Sequence, residues 1–273
     1  MLNFKVDETL CNRCGLCVQD CPSRIIAMGD DALPRIAPDK APNCIQCQHC
    51  LAVCPTAAVG ILGRKPADSL PLGPDSFPTL DRMERLVRGR RTVRHYRDEN
   101  VDPALIRRLL AATANAPSGI NRRELTFTVI DDKDAMQRLR EKVLAGLDAT
   151  TNIPARYGYL LEAGRAYREQ HNDIIFRTAP HALFISAPPD APCPNQDVTL
   201  AMAYFELLAQ SAGLGTVWWG IAQMVFLVLP ELKAQIGLPP DHIYYAMLFG
   251  TPSVHYPRTV QRDDAAIVRR VQI

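Results

Sequence analysis

The residues with the most evident chemistry are eight cysteines near the start of the chain. Cys11, Cys14, Cys17 and Cys21 recur as Cys44, Cys47, Cys50 and Cys54, each displaced by 33 positions, and Pro22 recurs as Pro55. Both runs therefore read C-x₂-C-x₂-C-x₃-C-P. Three closely spaced thiolates can wrap one corner of an iron–sulfur cubane, while the fourth, followed by proline, turns away. Where two such runs share a chain, each fourth cysteine crosses to the other cluster. The spacing thus predicts two 4Fe–4S clusters. One takes Cys11, Cys14, Cys17 and Cys54; the other takes Cys44, Cys47, Cys50 and Cys21.

Zinc is the weaker alternative, because structural zinc sites use well-separated C-x₂-C pairs, not three cysteines at successive turns. Disulfides between cysteines three apart have poor geometry. The start MLNFKVDETLC lacks the basic and apolar regions of a signal peptide, which points to a reducing cytoplasm where such bridges would not persist. The ninth cysteine, Cys193, sits between prolines with no histidine partner in sequence and reads as an ordinary free thiol.

A second group is basic. GRRTVRHY, residues 89–96, sets Arg90, Arg91 and Arg94 around Thr92 where a helical pattern gives way to an extended one. Guanidinium forks and a hydroxyl suit a phosphate, and a solvated basic patch fits the composition equally well. Further on, Pro117, Ser118, Gly119 and Asn121 lie in a turn between a helix and a strand. GLGTVWWG, residues 213–220, lacks G-x-G-x-x-G spacing, so no Rossmann dinucleotide site is supported. His95, His171, His181, His242 and His255 are scattered and read as structural.

These groups need elements to position them. Leu80 to Gly89 carries Leu80, Met83, Leu86 and Val87 on one helical face. Asp102 caps a helix with Pro103 in its first turn and Leu105, Ile106, Leu109 and Leu110 as its stripe. Strands are expected over 125–130, 182–186 and 244–249, and a long buried helix over 199–213, ended by glycine. Residues 213–229 hold almost no charge. Their glycines and Pro230 favour a buried strand running into a helix over a membrane span. Residues 63–78 are rich in proline and glycine and read as a linker. The layout is therefore 1–62, a linker over 63–80, and 81–273, with strands and helices mixed without βαβ alternation. A net charge of +2 gives no field toward nucleic acid or an anionic membrane, and 47% hydrophobic residues suit a packed core.

Residues 1–62 resemble the bacterial two-cluster ferredoxins, on the two cysteine runs. Residues 81–273 resemble the nitroreductase family of FMN flavoproteins, on RRTVRHY, APSGIN, APHALFISA, GLGTVWWG and LFGTP taken in order. The resemblance implies an α+β chain: a ferredoxin domain followed by a flavin domain with a mixed, mainly antiparallel sheet. It implies that Arg90, Arg91, Thr92 and Arg94 contact the phosphate, ribityl chain and pyrimidine edge of FMN. Pro117, Ser118, Gly119 and Asn121 would approach the flavin from the partner subunit of a homodimer. The backbone at Trp219 and Gly220 would donate to the flavin N5, with Arg258 and Arg262 near the phosphate and Asn172 near the pyrimidine. Arg123-Glu124-Leu125 departs from the family's Gln-Pro-Trp after that turn. The region 141–176 would cover the flavin and shape substrate choice, unless it is a surface helical pair. The function implied is an oxidoreductase passing electrons from an external low-potential donor through the clusters to FMN and on to a small nitro, quinone or similar electrophile. An electron-transfer module serving a protein partner is the alternative, and a specialised flavin enzyme a third.

Overall fold

The computed structural model describes residues 2–150, 153–262 and 266–272. The chain divides into two compact units, Met1–Pro78 with Ile120–Arg122, and Thr79–Gly119 with Arg123–Ile273.

The first unit is built from short elements in the order β1 (Lys5–Val6), α1 (Leu16–Gln19), β2 (Ile26–Met28), β3 (Pro34–Ile36), α2 (His49–Ala52) and β4 (Val59–Gly60). β1 pairs antiparallel with β4, Lys5 opposite Gly60, and β2 with β3, Ile26 opposite Ile36. Its small core of Ile25, Ile26, Leu51, Val59 and Ile61 includes two of the cysteines, Cys17 and Cys50. The 33-residue repeat of the sequence is also a repeat of conformation, since α2 lies 33 positions after α1. The linker region groups with this unit and contains a 3₁₀ turn at Pro66–Asp68.

The second unit has a four-stranded antiparallel sheet in the order β5-β6-β8-β7. These are β5 (Thr126–Ile130), β6 (His181–Ala187), β7 (Gly215–Trp218) and β8 (Ile243–Gly250). The segments ALFI of β6 and AMLF of β8 are unbroken apolar runs because their strands are covered on both faces. Ala182, Phe184, Ala246 and Leu248 enter one core cluster, while Leu183, Ile185, Met247 and Phe249 enter the other. The period of two along each strand thus feeds two layers of helices. On one side pack α4 (Pro103–Thr113) and α7 (Pro194–Ser211); on the other lie α5 (Lys133–Ala149), α6 (Tyr159–Gln170), α8 (Ile221–Val228) and α9 (Glu231–Gln235).

Local chemistry explains the helix starts. The Asp102 carboxylate accepts from Ala104 N at 2.8 Å ahead of Pro103, with Ile106 and Leu109 buried. Asp132 caps α5 by accepting from Ala135 N at 2.8 Å. Residues 213–229 form β7 and then α8, and among the described residues no helix is long and apolar enough to cross a membrane. α7 begins at Pro194, ahead of the expected Thr199, because that proline occupies its first turn and needs no N–H partner there. The region 141–176 is not a surface pair: Leu144, Leu147, Leu160, Ala163 and Phe176 are all buried. α3 (Leu80–Gly89) forms as read, yet its apolar face is uncovered, with Leu80 81% and Val87 53% exposed.

Candidate functional site

In each cysteine run the backbone alternates handedness between the thiols. Arg13 and Gly15 have φ of 62° and 72°, and their counterparts Gln46 and Gln48 have 56° and 60°. Left-handed residues turn the chain sharply between successive cysteines of each run. Cys17 and Cys50 are buried, Cys14 is exposed, and the other five lie between. Burial, and then the neighbouring Cys54 and Cys11 thiolates, push the Cys17 thiol up. Burial, then Cys47, Cys44 and Cys17, push Cys50 up to about 12. Burial also opposes the Cys54 thiolate, but bonds from Ala58 N, 3.3 Å from Sγ, and from Thr56 outweigh it and hold that thiol below its ordinary value. Burial thus favours the neutral thiol at Cys17 and Cys50, and a positively charged group beside them would be needed to hold them as thiolates. Among the described residues no group of three or more His, Cys, Asp or Glu side chains is placed to hold a metal ion.

In the second unit, α3 ends at Gly89 and the chain runs alongside β7, where Thr92 bridges Thr216 in parallel and Val93 N donates to Thr216 O at 2.8 Å. Gly215 is required there: a Cβ would lie 2.7 Å from Val93. Arg90, Arg91 and Arg262 line one cavity of about 270 Å³ together with Arg88, Val87 and Val260. Arginines 172 positions apart in sequence (262 − 90) thus converge on one concavity. Arg90 Nη1 donates to Glu206 Oε1 at 3.1 Å. Arg94 and Arg258 are exposed and line no part of that cavity.

The turn after α4 is held from α7. Gly119 N donates to both carboxylate oxygens of the buried Asp197, at 3.0 and 3.2 Å. Gly119 also packs so tightly on Pro192 and Cys193 that a Cβ would approach within 2.9 Å of the proline. Cys193 therefore serves as packing at the start of α7. Pro117 is exposed, and Ser118 Oγ accepts from Arg123 N at 2.9 Å. Ile120, Asn121 and Arg123 all have positive φ, between 44° and 58°. Asn121 belongs to the first unit, where its amide donates to Ile45 O at 2.8 Å.

Trp219 is buried; its backbone N–H donates to Ala246 O and its indole Nε1 to Ile175 O, both at 2.8 Å. Gly220 caps α8, and a Cβ there would lie 3.1 Å from Tyr245 Oη. The segment carrying Ile175 is fixed by a buried ion pair, Arg140 Nε to Asp173 Oδ2 at 2.9 Å. Asp173 further accepts from Phe176 N and Thr178 N. Asn172 is exposed at the end of α6. Asp197, Glu206, Arg140 and Asp173 were not anticipated as parts of this region. The available signal was a carboxylate, Glu206, inside the mainly apolar stretch 200–209.

A sheet domain with a basic concavity, joined to a duplicated cysteine unit, is the layout of a redox protein whose prosthetic groups carry the chemistry. The chain belongs to the nitroreductase family of oxidoreductases: that family's model matches residues 87–251, and a 4Fe-4S dicluster domain matches residues 10–59. A curated Archaeoglobus fulgidus protein, provisionally described as an NADH dehydrogenase/NAD(P)H nitroreductase, is 21% identical over 179 residues, 66% of this chain and 87% of its own. The chain also resembles a nitroreductase with bound FMN from Bacteroides fragilis, at 21% identity and TM-score 0.55, over 70% of this chain and 100% of the other. A Desulfitobacterium hafniense nitroreductase with bound FMN matches over the same shares at 20% identity and TM-score 0.56. At that identity the two structures establish the fold.

Proposed function

We propose that this protein moves electrons from an external low-potential donor through two 4Fe–4S clusters to FMN and on to a small organic electrophile such as a nitroaromatic or quinone. The observation that carries the reading is the arginine cavity, which gathers Arg90, Arg91 and Arg262 in a nitroreductase fold attached to the cysteine repeat. When bound, the clusters supply electrons one at a time, and FMN couples them to two-electron reduction of an acceptor. The cluster ligands are Cys11, Cys14, Cys17 and Cys54 for one and Cys44, Cys47, Cys50 and Cys21 for the other.

In this reading Arg90, Arg91 and Arg262 neutralise the FMN phosphate, with Arg258 nearby and the Thr92 hydroxyl as a further donor. Arg94 stabilises negative charge on the pyrimidine edge. The backbone of Trp219 and Gly220 offers an N–H to N5. The Trp219 amide is already spent on Ala246, which leaves Gly220 as the donor. Pro117, Ser118, Gly119 and Asn121 reach the flavin of a partner copy. The exposed apolar residues Leu80, Val87, Leu200 and Tyr204 on α3 and α7 support a homodimer, since a lone chain would leave them wet. Thiolate ligands of iron–sulfur clusters suit a reducing, cytoplasmic setting.

Anaerobic purification tests this directly. Roughly eight irons, equal sulfide and one FMN per chain are expected, and Cys54→Ala should lower the iron of the cluster that also uses Cys11, Cys14 and Cys17. Turnover with nitroaromatics or quinones under a strong reductant should be fast and selective. Slow, unselective reduction would instead favour an electron carrier for a protein partner. A preparation without flavin would refute the proposal.

A further inference from the structure

We infer that Glu206 is a positioning residue that aims Arg90 at the flavin phosphate, an inference that rests on the FMN reading of the arginine cavity. Glu206 lies on α7 among Met202, Phe205 and Ala209, and its side chain is only 10% exposed. A carboxylate there is costly unless paired. Its Oε1 accepts from Arg90 Nη1 at 3.1 Å and from Thr216 Oγ1 at 3.4 Å. Thr216 in turn accepts from Val93 N through its backbone carbonyl. One carboxylate therefore ties together α7, β7 and the segment that follows α3.

Arg90 is the arginine this arrangement holds. Arg88, on the same cavity, makes only an exposed pair with Glu84, at 64% and 52% side-chain exposure, while Arg90 is 24% exposed. A free arginine loses much rotamer freedom when it captures a ligand, and one already held loses less. Guanidinium carries five N–H donors in a rigid fork, and the bond to Glu206 uses one, so donors remain for a phosphate. The carboxylate does not cancel this attraction. The pair acts as a dipole anchored at its negative end in α7, with the cation lining the cavity.

The experiment is a binding titration of FMN and of riboflavin, which lacks the phosphate, to the full cluster-loaded chain stripped of flavin. Glu206→Gln keeps the shape and an acceptor oxygen but removes the charge. FMN affinity is expected to fall roughly tenfold, the scale of one positioned charge-assisted bond, with riboflavin affinity unchanged. In an Arg90→Gln background, Glu206→Gln should no longer alter the ratio of the two affinities. Parallel loss of both flavins would make Glu206 a general strut and overturn the inference, as would tighter FMN binding or an unchanged ratio. A wild-type chain that bound neither flavin would instead remove the FMN reading beneath it.

Discussion

Arg140→Ala tests whether the segment under Trp219 depends on one buried ion pair. The side chains of Arg140 and Asp173 are 10% and 3% exposed, so removing the cation strands a carboxylate out of water. Breaking such a pair costs about 3–5 kcal/mol. Phe176 N and Thr178 N still satisfy Asp173, which puts the electrostatic loss near the lower bound of about 3 kcal/mol. Arg140 also stacks over Phe176, 5.3 Å from the ring centroid, a contact worth about 1 kcal/mol. The sum, about 4 kcal/mol, corresponds to a fall in Tm of roughly 8–16 °C for a domain of this size. Urea denaturation followed by tryptophan fluorescence reads this unit selectively, because Trp218 and Trp219 are the chain's two tryptophans and both lie in it. Arg140→Met with Asp173→Asn removes both charges together and should recover about half the loss. A shift below about 1 kcal/mol for Arg140→Ala would refute the reasoning.

Four further outcomes follow from the same physics. His181 is buried, and burial lowers its pKa; Nε2 accepts from Val101 N at 2.9 Å, which requires the neutral ring. The unfolded chain therefore takes up a proton below pH about 6.5 that the fold refuses, so stability is full above that pH and falls below it; His181→Phe should flatten that slope in denaturation midpoints. Gly215→Ala would press a methyl within 2.7 Å of Val93, and should destabilise the second unit by about 1–3 kcal/mol while weakening FMN binding in titration. Arg94→Ala should lower the midpoint potential of bound flavin on the order of tens of millivolts in a spectroelectrochemical titration, and no shift would count against its role at the pyrimidine. Leu80→Asp with Tyr204→Asp should convert a dimer to monomer in sedimentation, since both side chains are uncovered in one chain.

What could be read from the sequence was local. The cysteine spacing is a local signal, because the four cysteines of each run lie within a short stretch of chain. β6 and β8 were legible as β-rich segments, and α4 as an Asp-Pro start with a helical stripe. The start of α7 was hidden by prolines that read as loop before they read as a first turn. The contacts that fix the site were not legible, because they join distant positions: Arg90 to Glu206 across 116 residues, Gly119 to Asp197 across 78, and Arg140 to Asp173 across 33. The exposed face of α3 is a different case. Its periodicity marks a helical apolar face, yet among the described residues Leu80, Met83 and Val87 on that face are exposed.

α7 brings these threads together. Its two buried carboxylates, Asp197 and Glu206, are nine residues apart (206 − 197), which at 3.6 residues per turn is two and a half turns. They therefore leave the helix on opposite sides. One grips the turn at Gly119 and the other grips Arg90, the two segments the FMN reading assigns to opposite subunits of a dimer. Leu200 and Tyr204, three and seven residues after Asp197 and therefore on its side of the helix, are apolar and exposed, at 41% and 42%. A helix that holds both segments rigidly and offers an apolar face beside Asp197 would seat each subunit's turn against the other's arginines by the same packing that forms a dimer. Flavin affinity should then fall with dilution into the monomer range, in step with dissociation, and a flavin affinity independent of protein concentration across that range would separate the two.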